Sequence, residues 1–262
     1  MQQVKAKKAL GQHFLTDLSI AERIARSLED YRELPILEIG PGMGVLTQYL
    51  LSLGFDTRVI ELDQESVAYL GEHFPQLEGR IISGDFLQLP IEDYMPEGSF
   101  SLIGNYPYNI SSQIFFRLLD YRERIPYCAG MLQREVAQRL ASPPGNKDYG
   151  ILSVLLQAWY DVEYLFTVDE HVFNPPPKVK SGVIRLIRNQ RQSLGCSESL
   201  FKTVIKTGFN QRRKTLRNSL KGLFGPDYDY SDPIFGKRPE QLGVESFIDL
   251  TLRLEALQAA RG

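Results

Sequence analysis

The sequence predicts an α/β fold, a mostly parallel sheet with helices on both faces, followed by a small all-helical domain. Two observations carry this. From Pro35 onward short apolar runs alternate with helix-like stretches, and past Arg188 the strand pattern gives way to helical periodicity. In order, PILEIG reads as a buried strand, MGVLTQYLLSLG as a helix stopped by Gly54, and FDTRVIEL as the next strand. QESVAYLGEHF is helical, GRIISGDF and SFSLIGN are strands, SSQIFFRLLDYR is a helix with a serine cap, and PYCAGMLQ is a strand. WYDVEYLFTV and SGVIRLIR alternate as an antiparallel edge pair would and close the sheet near Arg188. Beyond them SLFKTVIKTGF, RKTLRNSLKGLF and VESFIDLTLRLEALQ are helical, with turn signals at GPDYDYSDP and GKRPEQLG. The expected domains are 1–189 and 190–262.

Composition narrows the class. The 262 residues are 43% hydrophobic and 24% charged, enough for a sizeable core, which excludes a disordered chain. Cys128 and Cys196 lack the paired spacing of a zinc site or a disulfide framework, which fits a reducing compartment. No apolar run approaches the roughly 20 residues of a membrane helix, and MQQVKAKKALGQHF has no apolar signal segment, so a cytoplasmic location is expected. The formal net charge of −2 conceals a dipole. Lys178–Lys221 carries 12 basic residues against Glu198 alone, while Ser27–Pro177 carries 9 basic against 22 acidic residues. Such asymmetry suits a polyanion-binding surface on an acidic body.

In a parallel sheet ligands bind beyond the carboxyl ends of strands. The first strand ends in Glu38-Ile39-Gly40-Pro41-Gly42-Met43-Gly44, and the second in Glu61-Leu62-Asp63. Glycines at the first turn allow close backbone approach, and an acid about 20 residues on can accept both ribose hydroxyls. The third glycine comes one residue too early for a dinucleotide turn, and a carboxylate at Glu38 repels phosphate while suiting a cationic amino acid moiety. S-adenosyl-L-methionine has that ammonium and no phosphate. The third strand ends in Gly84-Asp85-Phe86, where an acid can accept an adenine amine and Phe86 can face the ring.

The fourth strand ends in Asn105-Tyr106-Pro107-Tyr108. Methylating adenine N6 requires localising a lone pair delocalised into the ring. The Asn105 side-chain oxygen and the Pro107 carbonyl can take the two N6 hydrogens while Tyr108 stacks on the base. Cytosine C5 chemistry would need a cysteine here, and none is present. Upstream, KALGQHFL reads as a lid in which Gln12 and His13 supply hydrogen bonds and Phe14 and Leu15 pack. Phe173, heading the proline run FNPPPKV, suits an aromatic pressing on a flipped base opposite Tyr108. No metal centre is expected. The segment FKTVIKTGFNQRRKTLRNSLK has seven basic residues and no acid. On helices it would present Lys206, Arg212, Arg213, Lys214, Arg217 and Lys221 to phosphates, with Lys178 nearby in sequence and with Phe209 and Leu216 as anchors.

Taken together, KALGQHFL, EIGPGMG, IELD, SGDF, NYPY, FNPPPKVKSG and FNQRRKTLRNSL resemble the ribosomal RNA adenine dimethyltransferases, most closely the bacterial small-subunit type, from Lys8 to about Leu250. The resemblance implies a class I (Rossmann-like) methyltransferase core with a helical C-terminal domain. It also implies dimethylation of N6 on two adjacent adenosines in the hairpin near the 3′ end of 16S rRNA, on the immature small subunit. Motif by motif it places His13, Leu15, Gly40, Glu61, Asp85 and Asn105 at the cofactor, and Asn105, Tyr108 and Phe173 at the target base. The reading from residues adds Gln12, Gly42 and Phe86 to the cofactor set and Pro107 to the base set. Tyr106 stands where the family often has Leu or Ile, and His13 where many members have Asn. A monomer is expected. Other readings remain open at this stage: an RNA-binding assembly factor whose docking is the main role, a large-subunit rRNA adenine methyltransferase, or a DNA adenine methyltransferase.

Overall fold

The computed structural model describes Lys7 and residues 12–261. The lid residues Lys8, Ala9, Leu10 and Gly11 lie outside them. Seven strands form one sheet: β1 (Ile36–Ile39), β2 (Thr57–Glu61), β3 (Ile81–Ser83), β4 (Ser101–Asn105), β5 (Tyr127–Gln133), β6 (Tyr160–Val168) and β7 (Ser181–Arg188). Their order is β3-β2-β1-β4-β5-β7-β6. The first five strands are parallel, and β7 runs antiparallel to β5 with Cys128 opposite Leu186. All four residues of β1 are buried, as expected of a central strand covered on both faces. The order steps outward from β1 to both sides, so the β1–β4 boundary is a topological switch point, where the loops after adjacent strands diverge and open a crevice.

The helices of this half are α1 (Leu18–Arg26), α2 (Thr47–Ser52), α3 (Gln64–His73) and α4 (Ser111–Asp120). Asp17 caps α1, accepting the Ser19 N–H at 2.9 Å, and Asp63 caps α3 through the Glu65 N–H. The cap expected from serine on α4 is absent. Ser111 is already the first helical residue, Ile110 stands at the cap, and the Ser111 hydroxyl instead donates back to the Tyr108 carbonyl at 3.3 Å. Outside the sheet, Phe14–Leu15 and Phe173–Asn174 form a two-stranded antiparallel ribbon with Leu15 opposite Phe173.

The chain divides into two compact units. The first runs through Gln138 and takes in Asp161–Arg188, and the second holds Arg139–Tyr160 and the residues from Asn189 on. The second unit therefore recruits a segment that the pattern-based division left with the sheet. Within that segment α6 (Ile151–Gln157) buries five of its residues, and α5 (Arg134–Ala141) precedes it; neither stood out in the strand–helix alternation. The remaining helices are α7 (Glu198–Asn210), α8 (Leu216–Ser219), α9 (Lys221–Phe224) and α10 (Val244–Ala259). In this unit Phe209 lies between Tyr149 and Phe247, with ring centroids 6.2 and 6.0 Å away. Among the described residues no helix is long and apolar enough to cross a membrane.

One packing constraint sits directly behind the crevice. Gly104 of β4 pairs with Gly130 of β5, and the Tyr106 ring lies over both. A Cβ on Gly104 would stand 2.7 Å from the Ile39 carbonyl oxygen, and one on Gly130 would overlap both the Gly104 oxygen and the Tyr106 ring. The buried Tyr106 hydroxyl donates to the Ala129 carbonyl at 2.8 Å, so a phenol is satisfied where an aliphatic residue would need no partner. Gly130→Ala should therefore lower unfolding stability by about 1–3 kcal/mol, read from urea midpoints at unchanged slope.

Candidate functional site

Loops after β1, β2, β3 and β4, closed by the ribbon strand at Phe14–Leu15, wall a cavity of about 180 Å³. Its floor is the turn after β1, in which Gly40, Gly42 and Gly44 have φ of 64°, 55° and 77°, the left-handed region that only glycine enters freely. Side chains are excluded here for a second reason, since a Cβ on Gly42 would stand 2.9 Å from the Phe14 ring. Glu61, at the tip of β2, bridges two loops: one carboxylate oxygen accepts the Gly42 N–H at 3.0 Å and the other accepts the Asp63 N–H at 2.9 Å. The Leu62 N–H also faces this carboxylate. Burial raises the Glu61 carboxyl above its ordinary value, opposed by those backbone donors.

Glu38 is 1% exposed. Its carboxyl accepts the Thr47 hydroxyl at 2.6 Å, and burial pushes its pKa up to about 8, with the Thr47 bond opposing and Glu61 adding to the rise. Thr47 was not singled out in the sequence, because a threonine on the first turn of a helix reads as an ordinary helix residue until the fold places it over Glu38. Asp85 accepts the Leu87 N–H at 2.8 Å on one oxygen, and Phe86 beside it is buried in the wall.

The Asn105 amide has a fixed sense. Its Nδ2 donates to the His13 carbonyl at 3.2 Å, while its Oδ1 has no partner among the described residues. The Pro107 carbonyl lines the same wall but accepts the Ile110 N–H at 3.2 Å, so one of its two lone pairs stays open. The Tyr108 hydroxyl is hydrogen-bonded to the Ser181 hydroxyl, and burial raises its pKa, which keeps the phenol protonated. The His13 Nδ1–H donates to the Pro175 carbonyl at 2.8 Å, and its ring centroid lies 5.4 Å from that of Tyr108.

The cavity thus gathers Gln12, His13, Leu15, Gly40, Gly42, Glu61, Asp85, Phe86, Asn105, Pro107 and Tyr108. Phe173 departs from expectation. It is 4% exposed, pairs with Leu15 in the ribbon and packs into the core with Ile24 and Leu28, and it is not among the residues walling the cavity. The aromatic partner beside Tyr108 is His13, held there by the proline run through Pro175.

The basic segment also differs from the helical expectation. Residues 211–215 form turns between α7 and α8: the Gln211, Arg212 and Lys214 N–H groups bond the carbonyls three residues back, and the Leu216 N–H that opens α8 is taken by the Lys237 carbonyl at 2.8 Å. Phe209 and Leu216 are buried, as anchors should be. Arg212 is tied down within its own unit, donating to the Lys147 carbonyl, with its Nε 3.9 Å from Glu240. Lys206, Arg213, Lys214, Arg217 and Lys221 are exposed, and none has a carboxylate partner among the described residues. Lys178 is exposed in the proline-rich loop of the first unit.

The family described as ribosomal RNA adenine dimethylase matches residues 3–231. A ribosomal RNA small subunit methyltransferase A of Porphyromonas gingivalis is 68% identical over 257 residues, covering 97% of this chain and 100% of its own. One of the same name from Parabacteroides distasonis is 67% identical over 96% of this chain and 95% of its own. Among solved structures, a dimethyladenosine transferase from Plasmodium falciparum superposes with a TM-score of 0.77 at 23% identity, over 94% of this chain and 98% of its own. The 23S rRNA methyltransferase ErmE gives 0.70 at 25% identity, over 92% and 99%.

The Glu38 carboxyl makes stability depend on pH in a definite direction. Between its ordinary value near 4.5 and the folded value of about 8, the folded protein binds more protons than the unfolded chain, so stability falls as pH rises through that window. Glu38→Gln, which cannot ionise, should flatten that limb. Urea unfolding of the ligand-free protein at pH about 5.5 and about 8 reads the difference.

Proposed function

The chain belongs to the ribosomal RNA adenine dimethylase family, and from that premise we propose that it transfers methyl groups from S-adenosyl-L-methionine to N6 of two adjacent adenosines in the 3′-terminal hairpin of 16S rRNA. It does so in the cytoplasm, on the immature small subunit and as a monomer. The observation that carries this reading is the Asn105 amide, whose nitrogen is held by the His13 carbonyl so that its oxygen stays free as an acceptor in the cavity wall.

The residues present fit the cofactor. Glycines with positive φ leave room for close approach, Glu61 keeps acceptor capacity for the ribose, and a cation is favoured over phosphate because it draws the proton off Glu38 and pairs with the two buried carboxylates. Bound there, S-adenosyl-L-methionine supplies a methyl on a positively charged sulfur. Asn105 Oδ1 and the open lone pair of the Pro107 carbonyl take the hydrogens of the target amine and favour a pyramidal nitrogen. Tyr108, its hydroxyl held by Ser181, offers its ring as a platform for the base, and His13 borders that platform. No strong base is needed, because the proton on the methylated nitrogen is acidic enough to leave to water. The exposed cations of residues 206–221 grip RNA phosphates without reading sequence, and Arg212 serves as an internal tie.

The direct test is incubation with undermethylated small subunits and methyl-labelled cofactor. N6,N6-dimethyladenosine in the rRNA digest supports the reading, while its absence, or label appearing only in large-subunit RNA or in duplex DNA, overturns it. Asn105→Ala should lower kcat about 10²-fold with the cofactor Kd nearly unchanged. A catalytically dead variant that still restored subunit maturation in full would shift the main role to docking. In RNA binding, removing Arg213 and Lys214 together should flatten the log Kd against log salt slope by about two phosphate contacts, whereas Arg212→Ala should mainly lower thermal stability.

A further inference from the structure

The loop after β3, Gly84 to Leu89, brings Asp85 and Phe86 into the cavity wall. It is partly self-clamped. Asp85 accepts the Leu87 N–H at 2.8 Å on its side chain and the Gln88 and Leu89 N–H groups at 3.0 Å on its carbonyl. The Leu89 side chain fills the space a Cβ on Gly84 would need. These contacts lie inside the loop and set its shape, but they do not attach its outer limb to the rest of the unit.

That attachment comes from Arg117 on α4. One terminal nitrogen donates to the Leu87 carbonyl at 3.2 Å and the other donates to the Leu89 carbonyl. The guanidinium carbon lies 5.3 Å from the centroid of the Phe86 ring and 5.2 Å from that of Tyr121. Among the described residues no carboxylate pairs with Arg117, which is half-buried. Its charge is thus faced by two carbonyl dipoles, two ring faces and the Tyr94 phenol, three of those five groups belonging to the loop. A planar fork spans two carbonyls two residues apart in the chain, and a lysine ammonium on a flexible stem does not reproduce that geometry.

We propose that Arg117 is a positioning residue for the methyl donor. By forking the carbonyls of Leu87 and Leu89 and packing against Phe86, it holds the Asp85–Phe86 step in the orientation that receives the adenine end of the cofactor. This rests on the methyltransferase reading above and assigns one helix residue, remote from the reacting atoms, to cofactor affinity. It separates two tasks. The loops after β1 and β2 receive the ribose and amino acid portions whether or not Arg117 is present, while the loop after β3 depends on it.

The test is calorimetric titration of S-adenosyl-L-methionine, and separately of adenosine, into wild type, Arg117→Lys, Arg117→Ala and Leu118→Ala. The last removes a fully buried core side chain one position along α4 and serves as the control for general destabilisation. Arg117→Lys should weaken both ligands about tenfold, as expected for losing charge-assisted hydrogen bonds to the loop. Leu118→Ala should lower Tm yet change either Kd by less than about twofold. With saturating cofactor, Arg117→Lys should keep kcat within about twofold of wild type while its KM for the cofactor rises in step with Kd. If Arg117→Ala does not fold, Arg117→Lys decides. Unchanged affinity in Arg117→Lys, or an equal loss in Leu118→Ala, overturns the assignment. A wild-type chain that binds adenosine but no S-adenosyl-L-methionine overturns the methyl-donor reading itself.

Discussion

The hydrogen bond from the Gly42 N–H to the buried Glu61 carboxylate is the constraint on which the cavity depends. It joins the turn after β1 to the tip of β2, extending the ladder past its last backbone bond, from the Gly40 N–H to the Ile60 carbonyl at 3.0 Å. It also requires glycine, because the N–H can face Glu61 only with the turn in left-handed backbone and with the Phe14 ring lying where a side chain would project. Strand order does the rest. With β1 flanked by β2 and β4, the loops after β1 to β4 that carry polar groups into the cavity leave from the same end of the sheet.

Electrostatically, the cavity is built to want a cation. Two carboxyls, Glu38 and Glu61, are buried in adjoining walls, and burial raises both above their ordinary range. A buried carboxylate without a positive partner is costly, and the nearest compensation here is a threonine hydroxyl and backbone N–H groups. A ligand with an ammonium and a sulfonium stabilises the ionised form of both carboxyls, whereas a pyrophosphate finds no positive partner there. In the proposed reading, the same region selects its cofactor by charge and leaves the nucleophile's activation to uncharged acceptors, Asn105 and the Pro107 carbonyl.

The second unit handles charge in the opposite way. Several of its arginines are consumed internally, Arg191 against Glu245 and Arg253 against Asp232 and Asp249, while the cations around the turn at 211–215 are left without carboxylates. A row of unpaired cations destabilises the unit that carries it. In the proposed reading this surface meets the phosphates of rRNA, and counterion release on binding supplies the favourable term.

Much of the fold and the site was legible in the sequence, for a physical reason. In a parallel sheet the functional groups follow immediately after the strands, so Gly40, Glu61, Asp85 and Asn105 announce themselves by position at the end of an apolar run, and the glycine spacing already rules out a dinucleotide turn. What the residues alone could not decide was anything set by contacts between distant segments. Phe173 looks like a free aromatic until its pairing with Leu15 buries it, and His13 gains its place beside Tyr108 only through the Pro175 carbonyl. The basic stretch keeps helical periodicity across Arg212, yet the helix ends at Asn210, where backbone bonds shorten to three residues, and the Lys237 carbonyl takes the Leu216 N–H beyond the turn. Local pattern determined the strands, their tips and the chemistry they carry; the tertiary fold decided which polar groups are already satisfied and which remain free to act, because hydrogen-bond partners are chosen by proximity in space.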